Sequence, residues 1–145
     1  MRVVIDTNVL ISGLMGLYTY PARVVDLVYV GRFQCIYDDR IIAEYRDVLS
    51  RPKFKQVVSE KEQKDLLQYL LYSGTHVLAA PIEVIRRSSA PDPDDLIFAD
   101  AAVAGEARYL ITGNKKHFLF FADNQWGIEI LSPRECYHLM CGQDY

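Results

Sequence analysis

What this chain has little of narrows it first. Three cysteines, Cys35, Cys136 and Cys141, are an odd number scattered without zinc-like spacing, so a disulfide scaffold is excluded and reduced thiols are expected. The three histidines, His76, His117 and His138, make no paired metal motif. No apolar run approaches the ~18 residues of a membrane span and no signal peptide opens the chain, so the expectation is a cytoplasmic protein without membrane attachment. An excess of one charge is missing too. A net charge of −3 sets up no global attraction for a polyanion, and such a partner must be held by a local patch or by bound metal. Internal repeats, low-complexity segments and interdomain linkers are absent. One domain over residues 1–145, with a single substantial core, is the reading these absences leave.

The most telling stretch that is present is the start. Val3, Val4 and Ile5 form an unbroken β-branched run, which suits a strand covered on both faces in a parallel sheet. The run stops at Asp6-Thr7-Asn8. A carboxylate at the end of a buried strand sits where open α/β sheets keep their sites, and it is costly there without a cationic partner.

Downstream, helical and strand patterns alternate. Ala22 to Val30 reads as a helix stopped by Gly31, and Phe33 to Tyr37 as a second strand. Asp38 or Asp39 caps a helix to about Leu49 with an apolar stripe of Ile41, Ile42, Tyr45, Val48 and Leu49, and Pro52 breaks it. Glu60 to Tyr72 is another helix, with Leu66, Leu67, Leu70 and Leu71 inward, and His76-Val77-Leu78 is a candidate strand. Arg86 to Pro93 is a polar connection. A helix then runs from about Asp92 to Ala107, Tyr109 to Thr112 is a strand, Gly113-Asn114 a turn, and Lys115-Lys116-His117 a basic loop. Ile128 to Leu131 is the last strand, and Ser132-Pro133 starts a terminal helix with serine as N-cap. This alternation predicts an α/β three-layer sandwich, a mainly parallel central sheet flanked by helices.

Several carboxylates compete for a functional role, and each has a plain structural account beside it. Glu44 lies on its helix flank, roughly 100° from the centre of the apolar stripe, where a side chain still reaches a cleft. Arg40 and Asp47 nearby also suit a solvated charge network. In Asp92-Pro93-Asp94-Asp95 the acids satisfy free amides and the dipole of a helix start, and the same start can hold a metal ligand rigidly. Asp100 is the one charge among Leu96, Ile97, Phe98, Ala99, Ala101, Ala102, Val103 and Ala104, so it needs a basic side chain such as Arg108, or a cation. Thr112-Gly113-Asn114 follows a strand, as Asp6 does, so both can meet at one sheet edge. Asn114 is equally at home as a turn residue, and Lys115 and Lys116 as solvated loop charges.

Taken in order, the strand ending in Asp6-Thr7-Asn8, the mid-chain Glu44, Asp92-Pro93-Asp94-Asp95 opening an apolar helix, and Leu110-Ile111-Thr112-Gly113-Asn114 resemble the PIN domain. With Val48-Leu49-Ser50-Arg51-Pro52-Lys53-Phe54 and Thr112 to Phe118, the resemblance narrows to the branch of toxin components of toxin–antitoxin systems. It implies a metal-dependent ribonuclease with Asp6 as first acid, Glu44 as second and Asp95, by its distance to Ala99 and Ala102, as third. The fourth place departs from the pattern: Asn114 stands where many PIN domains carry aspartate.

The mechanism expected from this is hydrolysis of a phosphodiester in single-stranded RNA at an all-oxygen Mg²⁺ or Mn²⁺ site. Asp6 is the central ligand. Glu44, Asp95 and Asp100 hold ions or their water, while Thr7, Asn8, Thr112 and Asn114 orient water and phosphate. Lys115 joins Arg46, Arg51, Lys53, Lys55, Arg86, Arg87 and Lys116 as candidate RNA-holding cations. The expected partners are RNA, a cognate antitoxin protein and a second copy in a homodimer. One alternative is a PIN-like RNA- or protein-binding module whose catalysis is weak or lost because of Asn114. The other, a phosphatase with Asp6 as nucleophile, wants an acid two residues on, where Asn8 stands.

Overall fold

The structure is a computed structural model, and it describes residues 1–82 and 92–141. The candidate cations Arg86 and Arg87, and most of the expected polar connection, lie outside the described residues.

Five strands, β1 (Arg2–Ile5), β2 (Gln34–Tyr37), β3 (Thr75–His76), β4 (Tyr109–Ile111) and β5 (Glu129–Leu131), form one sheet in the order β3-β2-β1-β4-β5. Every pairing in it is parallel. The helices are α1 (Thr7–Met15), α2 (Tyr20–Tyr29), α3 (Asp39–Leu49), the short α4 (Pro52–Lys55), α5 (Glu60–Ser73), α6 (Pro93–Ala104) and α7 (Pro133–Cys141), with a 3₁₀ segment over Lys115–Phe121. This is the expected parallel sheet flanked by helices. Val3, Val4 and Ile5 are buried, as a strand covered on both faces demands, and β1 runs through the centre of the sheet.

The strand order fixes where a site can form. From β1 the chain adds β2 and β3 on one side and then crosses to place β4 on the other. The carboxyl ends of β1 and β4 therefore flank the topological switch point, the crevice in which open α/β sheets bind ligands. In register, Ile5 lies opposite Ile111, so Asp6 and Thr112 leave the sheet side by side.

Local chemistry explains the main elements. The Asp38 side chain accepts from Ile41 N at 2.9 Å and caps α3, which settles which aspartate is the cap. Tyr45 of that helix donates its hydroxyl to the carbonyl of Ile5, tying α3 to β1. At α7, Ser132 Oγ accepts from Glu135 N while Glu135 Oε1 accepts from Ser132 N, each at 3.1 Å, a reciprocal capping box. Helix α6 ends at Ala104, earlier than the apolar composition suggested. Gly105 caps it against β2, where an added Cβ would meet Ile36 Cγ2 at 2.6 Å.

Some expectations are corrected. Thr7 starts a helix directly after Asp6, where no helix was expected. Pro52 ends α3 but also opens α4 at its first turn, where its missing amide costs nothing. The third strand is Thr75–His76, not His76 to Leu78. Leu71 is 37% exposed while Leu66, Leu67 and Leu70 are buried, so the inward stripe of α5 is narrower than its leucines imply. The basic loop at Lys115 is a 3₁₀ segment that buries Phe118 and Phe121.

Candidate functional site

The site is built on two strand ends and two helices. Asp6 follows β1, is 7% exposed, and is anchored by its amide to Ile111 O at 2.9 Å. Its Oδ2 accepts the hydroxyl hydrogen of fully buried Thr112 at 2.7 Å. Thr112 Oγ1 in turn accepts from Asn114 N at 3.1 Å. The carbonyl of Asp6 takes the first amides of α1, from Val9 and Leu10, so this acid sits where strand hands over to helix.

Asp95 comes in on the first turn of α6. Asp92 is the cap there, accepting from Asp94 N at 2.9 Å, which leaves the Asp95 carboxylate for the cleft. His117 Nδ1 faces Asp95 Oδ2 at 3.7 Å, and His117 Nε2 meets Asn114 Nδ2 at 3.0 Å. Glu44 enters from the middle of α3. Among the described residues it joins no ion pair: Arg40 turns instead to Asp38 and Asp100, and Asp47 pairs with Arg51.

Electrostatics tie these acids together. Burial pushes the Asp6 carboxyl above its ordinary range, against the Thr112 and Thr7 hydrogen bonds and nearby His117, which lower it. Asp95 is pushed up to about 6, first by burial and then by the Asp6 charge. Glu44 is raised by burial first, then by Asp94 and Asp47, with a contribution from Asp6. The Asp6 charge thus disfavours ionisation of two carboxylates from distant parts of the chain, Glu44 and Asp95. Asp94 is a member of this field that sequence reasoning set aside. Its signal was its place in the first turn of α6, beside Asp95.

The donor set suits a hard divalent cation. It is all oxygen, the chemistry such an ion takes. Among the described residues Thr7 Oγ1 is also a buried polar atom without a hydrogen-bond partner, next in sequence to Asp6. Yet no three such acid, histidine or cysteine groups among the described residues are drawn close enough to hold an ion as they stand.

The other expected residues fall out as follows. Asn8 is exposed on the first turn of α1. Asp100 is 1% exposed, and its carboxylate takes Arg40 Nη1 at 3.3 Å and Ile82 N at 3.2 Å. Of the two partners open to it, the structure supplies a basic side chain, and the base is Arg40 rather than Arg108. Lys115 Nζ reaches both carboxylate oxygens of Glu135, at 3.0 and 3.3 Å, so its charge is shared with α7. Sequence reasoning missed His117 as a member of the site. A histidine three residues after Asn114 was the available signal.

Comparison with known proteins bears on the family and the fold. The PIN domain family profile matches residues 2–116. No curated protein matches. Among solved structures, VapBC2 from Rickettsia felis, crystallised with a DNA fragment from its promoter, has a chain that superposes with a TM-score of 0.60 at 16% identity. The alignment covers 91% of this chain and 98% of that one, a likeness of fold.

Proposed function

The chain belongs to the PIN domain family, and on that premise we propose that it is a Mg²⁺- or Mn²⁺-dependent ribonuclease that hydrolyses phosphodiester bonds of single-stranded RNA. We further take it to be the toxin of a toxin–antitoxin pair. The observation that carries the reading is the crevice at the switch point, where Asp6, Glu44 and Asp95 are each raised first by burial and the Asp6 charge raises both Glu44 and Asp95 further. A bound dication would relieve that repulsion, acidify the attacking water and neutralise charge on the phosphate.

In this proposal Asp6, Glu44 and Asp95 hold the metal. Thr112 fixes the rotamer of Asp6, and the Thr7 hydroxyl is left available to water or phosphate. Asn8, exposed at the rim, and Asn114 orient the substrate. Asp100 serves the site indirectly, by holding Arg40 and the α3 cap rather than an ion. RNA docks through Arg46, Lys53, Lys55 and Lys116. The resemblance of fold to a VapBC chain supports an antitoxin protein as partner, and a homodimer is the assembly we expect. No helix among the described residues is long and apolar enough to cross a membrane.

The second reading, a binding module without turnover, has one observation on its side. Among the described residues no three ligating groups yet share a metal-holding geometry. A Mn²⁺ titration against a panel of labelled single-stranded RNAs separates the two. Metal-dependent cleavage products support the nuclease, and metal-independent binding without cleavage supports the module.

A further inference from the structure

Asn114 stands where the resemblance puts an acid, and its side chain is turned to His117. Its amide nitrogen lies 3.0 Å from His117 Nε2. In this orientation of the amide its nitrogen donates and Nε2 accepts, so a neutral imidazole carries its proton on Nδ1. Nδ1 is the nitrogen that faces Asp95 Oδ2, at 3.7 Å. On the other side the backbone N–H of Asn114 donates to Thr112 Oγ1, whose own hydrogen goes to Asp6. Asn114 is thus linked toward both acids, through its backbone N–H to the Thr112 hydroxyl on Asp6 and through its side chain to the His117 ring, whose Nδ1 faces Asp95 beyond hydrogen-bond length.

The loop is braced from outside. Lys115, the first residue of the 3₁₀ segment, is held by both oxygens of Glu135 inside the α7 capping box. Buried Phe118 fixes the next turn. His117 is thus an exposed residue held between two anchored neighbours, Lys115 and Phe118, which is how outer partners orient metal-binding side chains.

We infer that His117 is a positioning residue of the proposed metal site: it receives a hydrogen bond from Asn114 on Nε2 and presents Nδ1–H to Asp95, so that Asn114 acts on the third acid through an imidazole. The inference rests on the nuclease reading for its purpose, but its geometry is testable without RNA or metal. Long-range ¹H–¹⁵N spectra of the metal-free protein, at a pH where the ring is neutral, are expected to show the Nδ1–H tautomer for His117. Asn114→Ala should return it to Nε2–H with the remaining spectrum unchanged. An Nε2–H tautomer in the unaltered protein, or one indifferent to Asn114→Ala, overturns the inference.

A second readout uses Mn²⁺ alone, by calorimetry. His117→Ala should weaken Mn²⁺ binding about tenfold, the low end of the range for outer-shell partners. His117→Gln keeps an acceptor for Asn114 but offers nothing to Asp95, and should be as weak. His117→Asn, with an amide near the Nδ1 position, should recover part of the affinity. Full recovery by the glutamine variant would mean that His117 only braces the loop, contrary to the inference. If the unaltered protein bound no Mn²⁺, the metal reading of the site would fail, and the tautomer would still decide the Asn114–His117–Asp95 link.

Discussion

Thr112 donates its hydroxyl hydrogen to Asp6 Oδ2 across 2.7 Å, joining the ends of two adjacent parallel strands 106 residues apart in the chain. Both side chains are buried, so the bond sets the Asp6 rotamer before any ligand arrives. The same hydroxyl oxygen takes the Asn114 amide, so one atom organises two sides of the crevice.

Thr112→Val keeps the shape and removes both bonds. Leaving the Asn114 amide without its acceptor and Asp6 without its donor should cost about 1–3 kcal/mol of stability and lower RNA cleavage. Urea unfolding and a cleavage assay on one preparation check this. Unchanged stability would show that the Asp6 rotamer is set by something else.

Asp6→Asn should abolish cleavage while the metal-free fold stays intact or becomes more stable. The substitution removes a buried charge that burial itself disfavours, and the new amide oxygen can still accept from Thr112. Melting curves without metal, alongside the cleavage assay, test both halves. Cleavage with unaltered metal dependence would contradict the central place given to Asp6.

The pH response follows from Asp95. Its folded pKa is raised to about 6 from 3.8, so the folded state binds this proton more tightly than the unfolded chain. Its contribution to stability is full below about 3.8 and is lost as pH rises through about 6. Asp6 and Glu44 act in the same sense, whereas Glu135, lowered first by Lys115, acts in the opposite one. Melting temperatures of the metal-free protein at pH 5 and pH 7.5 should therefore differ less in Asp95→Asn than in the unaltered chain, and Mn²⁺ should raise them more at pH 7.5. An Mn²⁺ gain equal at both pH values would count against the shared field.

Arg40→Met removes the ion pair with Asp38 and leaves the buried Asp100 carboxylate to Ile82 N and whatever else it touches. The loss should be on the order of 1–3 kcal/mol, since Arg40 is itself half-exposed. Arg23→Met, which removes an exposed pair with Asp26, should cost under about 1 kcal/mol. Equal losses would mean that Asp100 is held by groups other than Arg40.

Much of this was legible in the residues. The Val3-Val4-Ile5 run ending in Asp6, a cap at Asp38 or Asp39, the Ser132-Pro133 helix start and the parallel α/β alternation all reflect local chemistry that tertiary packing leaves in place. Helix α1 was not legible, because Thr7-Asn8 reads as strand end or loop, and only the Asp6 carbonyl accepting from Val9 and Leu10 makes it a helix start. The strand order was likewise out of reach. It depends on which strand lies opposite Ile5, a pairing no local pattern specifies. For Asp100, burial was foreseeable but the partner was not, because Arg40 lies 60 residues earlier and meets it only through the fold. His117 escaped notice as a loop charge, since its role rests on a side-chain contact with Asn114 that spacing alone does not distinguish from solvent exposure.

The account stands most directly on one crystal soaked in Mn²⁺ and read by anomalous diffraction. It predicts a peak in the crevice bounded by Asp6, Glu44 and Asp95, absent from Asp6→Asn crystals treated alike. A fully soaked crystal without density there, or an ion held elsewhere while the three acids stay apart, would contradict it.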